Sequence, residues 1–268
     1  MSASAPAAEG TAIAPGYEVL AHLSRGRSLD TYDAWSEQRD CRCVIKGLRP
    51  DRRTSEGART RLRQEGRLAT ELNHPHLVRG YELIVRPDPL AVLETLDGET
   101  LEHMIATSAR RLSIGDLARL GLQLCSAMHY LHGSGWIHID LKPSNVIVEC
   151  GRARVIDLSL ARRPGRARRG VGTRSYLAPE QARGERVDSF TDVWGIGATL
   201  FEAASGQRPF EGINGTRYPQ TERRAPSLSS LRRAPRAFGA AIDACLEPDP
   251  SSRPRVSELA ELLDTFAD

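Results

Sequence analysis

From His138 to Asn145 the chain reads His-Ile-Asp-Leu-Lys-Pro-Ser-Asn, and no other stretch narrows the possible folds so far. An acid, a cation and an amide stand at fixed offsets: Asp140, Lys142 and Asn145. Twelve residues after Asn145 comes Asp157-Leu158-Ser159, preceded by the apolar pair Val155-Ile156. A hydroxyl that attacks a phosphoryl group needs such a set. A carboxylate accepts or orients the proton, a cation offsets charge on the transferred group, and an amide oxygen holds a metal ion. A lone His-x-Asp would fit an ordinary loop whose polar groups are satisfied locally; the full string is far more specific.

The string resembles the catalytic loop of eukaryotic-like (Hanks-type) Ser/Thr protein kinases, H-R-D-L-x-x-x-N followed by D-F-G. Ile139 stands where that family usually has Arg, and Leu158-Ser159 where it has Phe-Gly. The resemblance implies an α+β, two-lobe fold. A small antiparallel β lobe with one helix would span about 17–96, and a larger, mainly α lobe about 97–268, with ATP between them. It implies Asp140 as the base or orienter, Lys142 as the phosphate stabiliser, and Asn145 and Asp157 as ligands of Mg²⁺ or Mn²⁺.

Composition adds one sharp fact. Of 37 basic side chains only Lys46 and Lys142 are lysine. Both fall where the kinase pattern asks for lysine, a compact ammonium suiting a tight phosphate site better than a planar guanidinium. Chance would place both there roughly once in several hundred draws. The style is that of a bacterial, GC-rich coding sequence. The net charge of +3 is too small to argue for nucleic acid. Five scattered cysteines show no zinc or disulfide spacing, which fits a reducing cytoplasm. No apolar run reaches the roughly eighteen residues of a membrane span. Residues 1–16, rich in Ala, Ser, Pro and Gly, read as a disordered tail.

In chain order, Tyr17–Leu23 and the turn Ser24–Tyr32 read as a strand–turn–strand hairpin. By resemblance it covers the nucleotide phosphates, with Leu23, Gly26 and Thr31 at the ATP. Ser24 and Leu29 replace two of the three family glycines, so weak ATP affinity is expected. Cys43–Lys46 matches V-A-I-K, with Val44 and Lys46 at the nucleotide. Residues 58–72 read as a helix carrying Glu65, the expected partner of Lys46; Glu71 is the alternative. Gly66 lowers helix propensity by roughly 1 kcal/mol against Ala, which predicts a mobile helix. Tyr81–Val85 and Leu90–Thr95 read as strands. Leu93, Glu94 and Leu96 correspond by resemblance to the adenine-binding hinge, and Ile147 is a further ATP-binding residue by resemblance.

Ser113 caps a helix that carries Leu117, Leu120, Leu124, Met128 and Leu131 at helical spacing; His129 and His132 read as ordinary helix residues. Gly172–Gln181 resembles the kinase substrate-positioning loop ending in A-P-E. By resemblance Thr173 bonds near Asp140 and Lys142, Glu180 pairs with Arg253, and Asp192 braces the catalytic loop. Residues 213–236 read as a partly flexible loop without chemistry, followed by helices at about 237–246 and 256–267.

Residues 160–172 contain no Ser, Thr or Tyr but five arginines: Arg162, Arg163, Arg166, Arg168 and Arg169. With Ile139 uncharged, the phosphate-on-arginine device that orders many kinase loops has lost both halves. Two readings remain: a solvated basic loop, or a loop ordered without phosphorylation by acidic groups of the protein, a partner or an acidic substrate. The function implied is transfer of the γ-phosphoryl group of Mg-ATP to Ser/Thr hydroxyls of a protein. The competing readings are a pseudokinase acting as a binding module and, with only scattered arginine behind it, a nucleic-acid binder.

Overall fold

Period-two alternation builds the first part of the chain. β2 (Tyr17–Arg25) buries Tyr17 and Val19, and β4 (Cys41–Leu48) buries Cys43 and Ile45, the spacing of a strand with one covered face. With β1 (Ala12–Ala14), β3 (Leu29–Ser36), β5 (Gly80–Ile84) and β6 (Leu90–Glu94) they form an antiparallel sheet in the order β1-β2-β3-β4-β6-β5. Tyr17, Ala34, Cys43, Ile45 and Val92 form one buried cluster. One helix, α1 (Glu56–Glu71), packs on β4, β5 and β6. The computed structural model describes residues 5–211 and 218–267. Their packing divides into two units: one runs to Asp97 and takes in Asp157–Ser159, and the other holds Gly98–Ile156 and Leu160 onward.

Two expectations change in the first unit. The segment before Tyr17 is ordered from residue 5 on. β1 pairs with β2, Gly10 N–H donates to Val19 O at 2.9 Å, and Ala7 N–H donates to the Tyr32 hydroxyl at 3.1 Å. Composition misled there because backbone groups, which every residue type carries, make these bonds. Gly66 also has a packing role that its low helix propensity does not reveal. A Cβ on it would lie 2.8 Å from Leu83 Cδ1 and 3.2 Å from Ala91 Cβ. The missing side chain lets α1 sit close on β5 and β6, and that seats the neighbouring Glu65.

The second unit is built round α3 (Ile114–Gly133), entered through β7 (Glu99–Thr100) and α2 (Leu101–Thr107). The Ser113 hydroxyl accepts Asp116 N–H at 3.0 Å, and Leu117, Leu120, Leu124, Met128 and Leu131 are all buried. β8 (Val146–Glu149) and β9 (Arg152–Val155) extend β7 into a small sheet. β10 (Gly165–Arg166) pairs with β11 (Arg186–Val187) on either side of α4 (Pro179–Arg183). α5 (Ser189–Ser205), α6 (Arg236–Cys245) and α7 (Val256–Asp264) complete the unit. α5 and α7 pack on α3, and Trp194 of α5 stacks on Phe210 with ring centroids 5.5 Å apart.

Of the expected loop at 213–236, residues 213–217 lie outside the described residues. The rest is not idle. Gln220, buried, donates to Leu177 O at 2.9 Å and Arg174 O at 3.1 Å, and Tyr218 packs against Leu177 and Ala182. Among the described residues no helix is long and apolar enough to cross a membrane.

Gly66→Val should cost about 1–3 kcal/mol of stability through overpacking against Leu83 and Ala91, read by urea unfolding. A variant as stable as the parent would show that the close approach is not required.

Candidate active site

The catalytic string hangs on one buried carboxylate in the second unit. Asp192, in the first turn of α5, accepts His138 N–H at 2.9 Å and Ile139 N–H at 2.8 Å. His132 Nε2, from the last turn of α3, lies 2.8 Å from the same carboxylate. The grip holds Ile139 at φ 59°, a left-handed conformation costly for a β-branched residue. His132 is therefore not an ordinary helix residue, as helical spacing suggested, but a third partner of the brace. His129 is exposed.

The turn forced on the chain presents Asp140. Its Oδ1 accepts Thr173 N–H at 2.7 Å, and its Oδ2 lies 3.0 Å from Lys142 Nζ and 3.3 Å from Asn145 Nδ2. Lys142 Nζ also donates to Thr173 Oγ1 at 2.5 Å, so acid, cation and loop hydroxyl form one closed network. Asn145 donates its amide nitrogen to Asp140 O as well, at 2.9 Å. That fixes the amide's orientation and leaves Oδ1 as an acceptor for something else. Ile147 follows on β8, half-buried.

The loop that carries Thr173 is ordered mainly by apolar contact. Ile139 packs with Ile137, Ala167 and Val187, and Leu160 and Val171 lie against them. Gln181 Nε2 ties the segment down, donating to Ile139 O at 2.8 Å and Val171 O at 3.1 Å. Gly172, at φ 121°, allows the approach: a Cβ there would lie 2.7 Å from Leu177 Cδ2. Acidic groups of the chain are not what orders the loop. Arg162 donates to Arg163 O and Arg166 O, Arg163 to Ser134 O, and Arg169 to Ala182 O. None of the five loop arginines pairs with a carboxylate among the described residues.

Below it, Glu180 of α4 meets Arg253 in a bidentate pair of 2.8 and 2.9 Å. The Arg253 side chain is fully buried and lies over the Trp194 ring. Thr191 Oγ1 adds a bond to Glu180 at 3.0 Å.

The first unit holds the other set. Lys46 Nζ lies 2.5 Å from Glu65 Oε1, whereas Glu71 is exposed and pairs loosely with Arg67. Burial by itself would lower the Lys46 ammonium, but the Glu65 and Asp157 carboxylates outweigh it, and the net direction is up. Lys46 therefore stays charged. Across the ladder Thr31 and Ala91 face Lys46, and Leu93 faces Val44, so these side chains share one face of the sheet. Asp157, at φ 68°, accepts Ser159 N–H at 3.2 Å, and Leu158 is fully buried. Gln64, next to Glu65, donates to Ser159 O at 3.2 Å and links α1 to this segment; nothing in the sequence singled it out.

The hairpin of the first unit is closed by charge instead of glycine. Arg25 holds Asp30 across the strands by bonds of 2.7 and 2.9 Å. Gly26 N–H donates to Leu29 O at 2.8 Å, and its own carbonyl accepts from Arg49. Leu23 is exposed. At the end of β6, Glu94 N–H is taken by Arg79 O at 2.9 Å. Leu96, half-buried, forms no main-chain hydrogen bond among the described residues.

A family model described as "Protein kinase domain" matches residues 17–262. A probable serine/threonine-protein kinase of Streptomyces coelicolor, SCO3848, is 32% identical over 209 residues, 73% of this chain and 31% of that protein. Serine/threonine-protein kinase PknB of Mycolicibacterium smegmatis is 36% identical over 185 residues, 63% of this chain and 29% of that protein. The chain thus spans about a third of the length of these relatives. Among solved structures, a point mutant of the PknI kinase domain of Mycobacterium tuberculosis superposes with a TM-score of 0.79 at 21% identity. The match covers 98% of this chain and 100% of that one, a likeness of fold.

Ile139→Ala should loosen the loop by opening the apolar cluster, at a cost of about 2–5 kcal/mol. Trypsin should then cut first at Arg166 or Arg168, and several-fold faster than in the parent; unchanged cleavage would show that Ile139 does not hold the loop. Arg253→Met should cost about 3–5 kcal/mol, because it leaves Glu180 buried and unpaired. Thermal or urea unfolding would check it.

Proposed function

Since the chain belongs to the protein kinase family, we propose that it transfers the γ-phosphoryl group of Mg-ATP to Ser or Thr hydroxyls of a protein. The observation that carries this reading is the closed network of Asp140, Lys142, Asn145 and Thr173. A carboxylate pinned by a backbone N–H, an ammonium and an amide is preorganised to orient a hydroxyl and take its proton. Lys142, between the carboxylate and Thr173, is placed to offset charge on the transferred group. Lys46, kept charged by Glu65 and Asp157, is suited to the nucleotide phosphates.

The residues present fit a divalent cation. Asn145, with its nitrogen committed to Asp140, keeps its amide oxygen as a hard donor of the kind Mg²⁺ or Mn²⁺ takes, and Asp157, in the other unit, carries a carboxylate of the same kind. Among the described residues no group of three or more His, Cys, Asp or Glu makes a dedicated cage. When bound, Mg-ATP supplies the phosphoryl group and shields its charge. Leu93 and Val44 are the apolar contacts for the base, with Thr31 on the same face, and the free main chain of Leu96 suits its polar edge. Leu23, Gly26, Glu94 and Ile147 complete the nucleotide set by resemblance.

Selectivity for Ser or Thr over Tyr rests on Lys142, on Thr173 in the Gly172–Gln181 string, and on the likeness to serine/threonine-protein kinases. Both relatives are named as kinases, which favours turnover over the pseudokinase alternative. The five cysteines are free, which supports a cytoplasmic setting. The substrate in this reading is a protein with a Ser or Thr acceptor.

Asp140→Asn should lower kcat by about 10²–10⁴ while nucleotide affinity stays within a few-fold. Phosphoryl transfer to a mixed Ser/Thr peptide pool, beside nucleotide titration, measures both. Turnover near that of the parent would remove Asp140 from the role.

A further inference from the structure

The segment that wraps Asp140 is far more basic than the chain as a whole. Residues 160–188 hold eight arginines against three carboxylates, a net +5, while the whole chain is +3. Everything outside this segment is therefore −2. The three carboxylates are occupied: Glu180 is buried on Arg253, Asp188 caps α5, and Glu185 lies 3.9 Å from Arg183.

The arginines fall into two groups. Arg162, Arg163 and Arg169 give their guanidinium hydrogens to main-chain carbonyls, and Arg163 and Arg169 also lie over the rings of Trp136 and Tyr218. Arg166, Arg168 and Arg186 are exposed and make no side-chain hydrogen bond or ion pair among the described residues. Arg166 and Arg186 are direct cross-strand partners in the β10–β11 ladder. Like charges at that position repel each other and destabilise a sheet unless an anion sits between them.

Their place is specific. Ala167, between Arg166 and Arg168, and Val187, next to Arg186, pack on Ile139, the residue before Asp140. The unpaired guanidinium groups thus border the backbone that sets the acceptor site. An arginine fork matches a carboxylate in bidentate geometry, better than a lysine ammonium does. A nucleic-acid strand is the poorer fit: the one aromatic residue in 160–188, Tyr176, is buried, so no stacking platform accompanies the charge.

We propose that Arg166, Arg168 and Arg186 form a recognition surface for acidic protein segments, so that the chain selects Ser/Thr acceptors flanked by Asp or Glu. This rests on the kinase reading above and names its substrate class.

The test uses the intact chain and the triple variant Arg166→Gln, Arg168→Gln, Arg186→Gln. Fluorescence polarisation compares a serine peptide flanked by glutamates, its glutamine counterpart, and a single-stranded oligonucleotide of equal charge. The acidic peptide should bind at least about tenfold tighter than the glutamine one, since several exposed pairs act together. The preference should fade as salt rises from roughly 0.05 to 0.5 M, and vanish in the triple variant. A second arm measures kcat/KM for the two peptides, with a similar ratio expected. The variant should melt no lower than the parent, because it relieves the Arg166–Arg186 repulsion.

Equal binding of the two peptides, tighter binding of the oligonucleotide, or a preference that survives in the variant would overturn the proposal. So would a clear drop in melting temperature, which would assign these arginines to the fold. Absence of transfer to every peptide would sink the kinase reading alone, since the binding arm decides acidic recognition without turnover.

Discussion

The arrangement of the second unit depends on the buried carboxylate of Asp192. It receives two consecutive backbone N–H groups, from His138 and Ile139, and a histidine ring from α3. Hydrogen bonds to a charged group contribute about 1.5–3 kcal/mol each. The left-handed backbone at Ile139 costs about 1–2 kcal/mol, so the brace outweighs the strain it enforces. Without that strained residue the chain would not turn Asp140 toward Lys142 and Thr173. A helix terminus thus fixes the conformation of a loop more than fifty residues away in sequence.

Ile139 gives the brace a second consequence. Where the kinase pattern H-R-D has an arginine, this chain carries an aliphatic side chain buried against Ala167 and Val187. A charge clamp needs a modification to close, whereas an apolar cluster closes on folding. The loop arginines divide between capping carbonyls and facing solvent. In the structure the loop is held by these apolar contacts, and none of its positions from 160 to 172 carries a hydroxyl.

Much of this could be read from residue types and spacing. Asp140, Lys142, Asn145 and Asp157 stand out because their chemistry is rare at those offsets. Lys46 and Lys142 stand out because nearly every other cation is arginine. The buried face of α3 follows from helical periodicity. What escaped the sequence depends on approach in space. Gly66 looks like a weak helix residue until Leu83 and Ala91 are seen against it. Gln64, Gln181 and Gln220 act through bonds to distant carbonyls, and a glutamine carries no sign of that in its neighbours. The ordered segment ahead of Tyr17 is held by backbone pairing, to which composition is blind.

The proposed phosphoryl transfer by this member of the protein kinase family goes with a loop set by packing and not by phosphate. Its most direct measurement is the time course of phosphoryl transfer from ATP to a Ser/Thr peptide pool. The protein would be prepared with phosphatase and shown by intact mass to carry no phosphate. Transfer that starts at its full rate, without a lag, is the result predicted. Transfer that begins only after the chain has phosphorylated itself between Asp157 and Glu180, or nucleotide binding with no transfer at all, would contradict it.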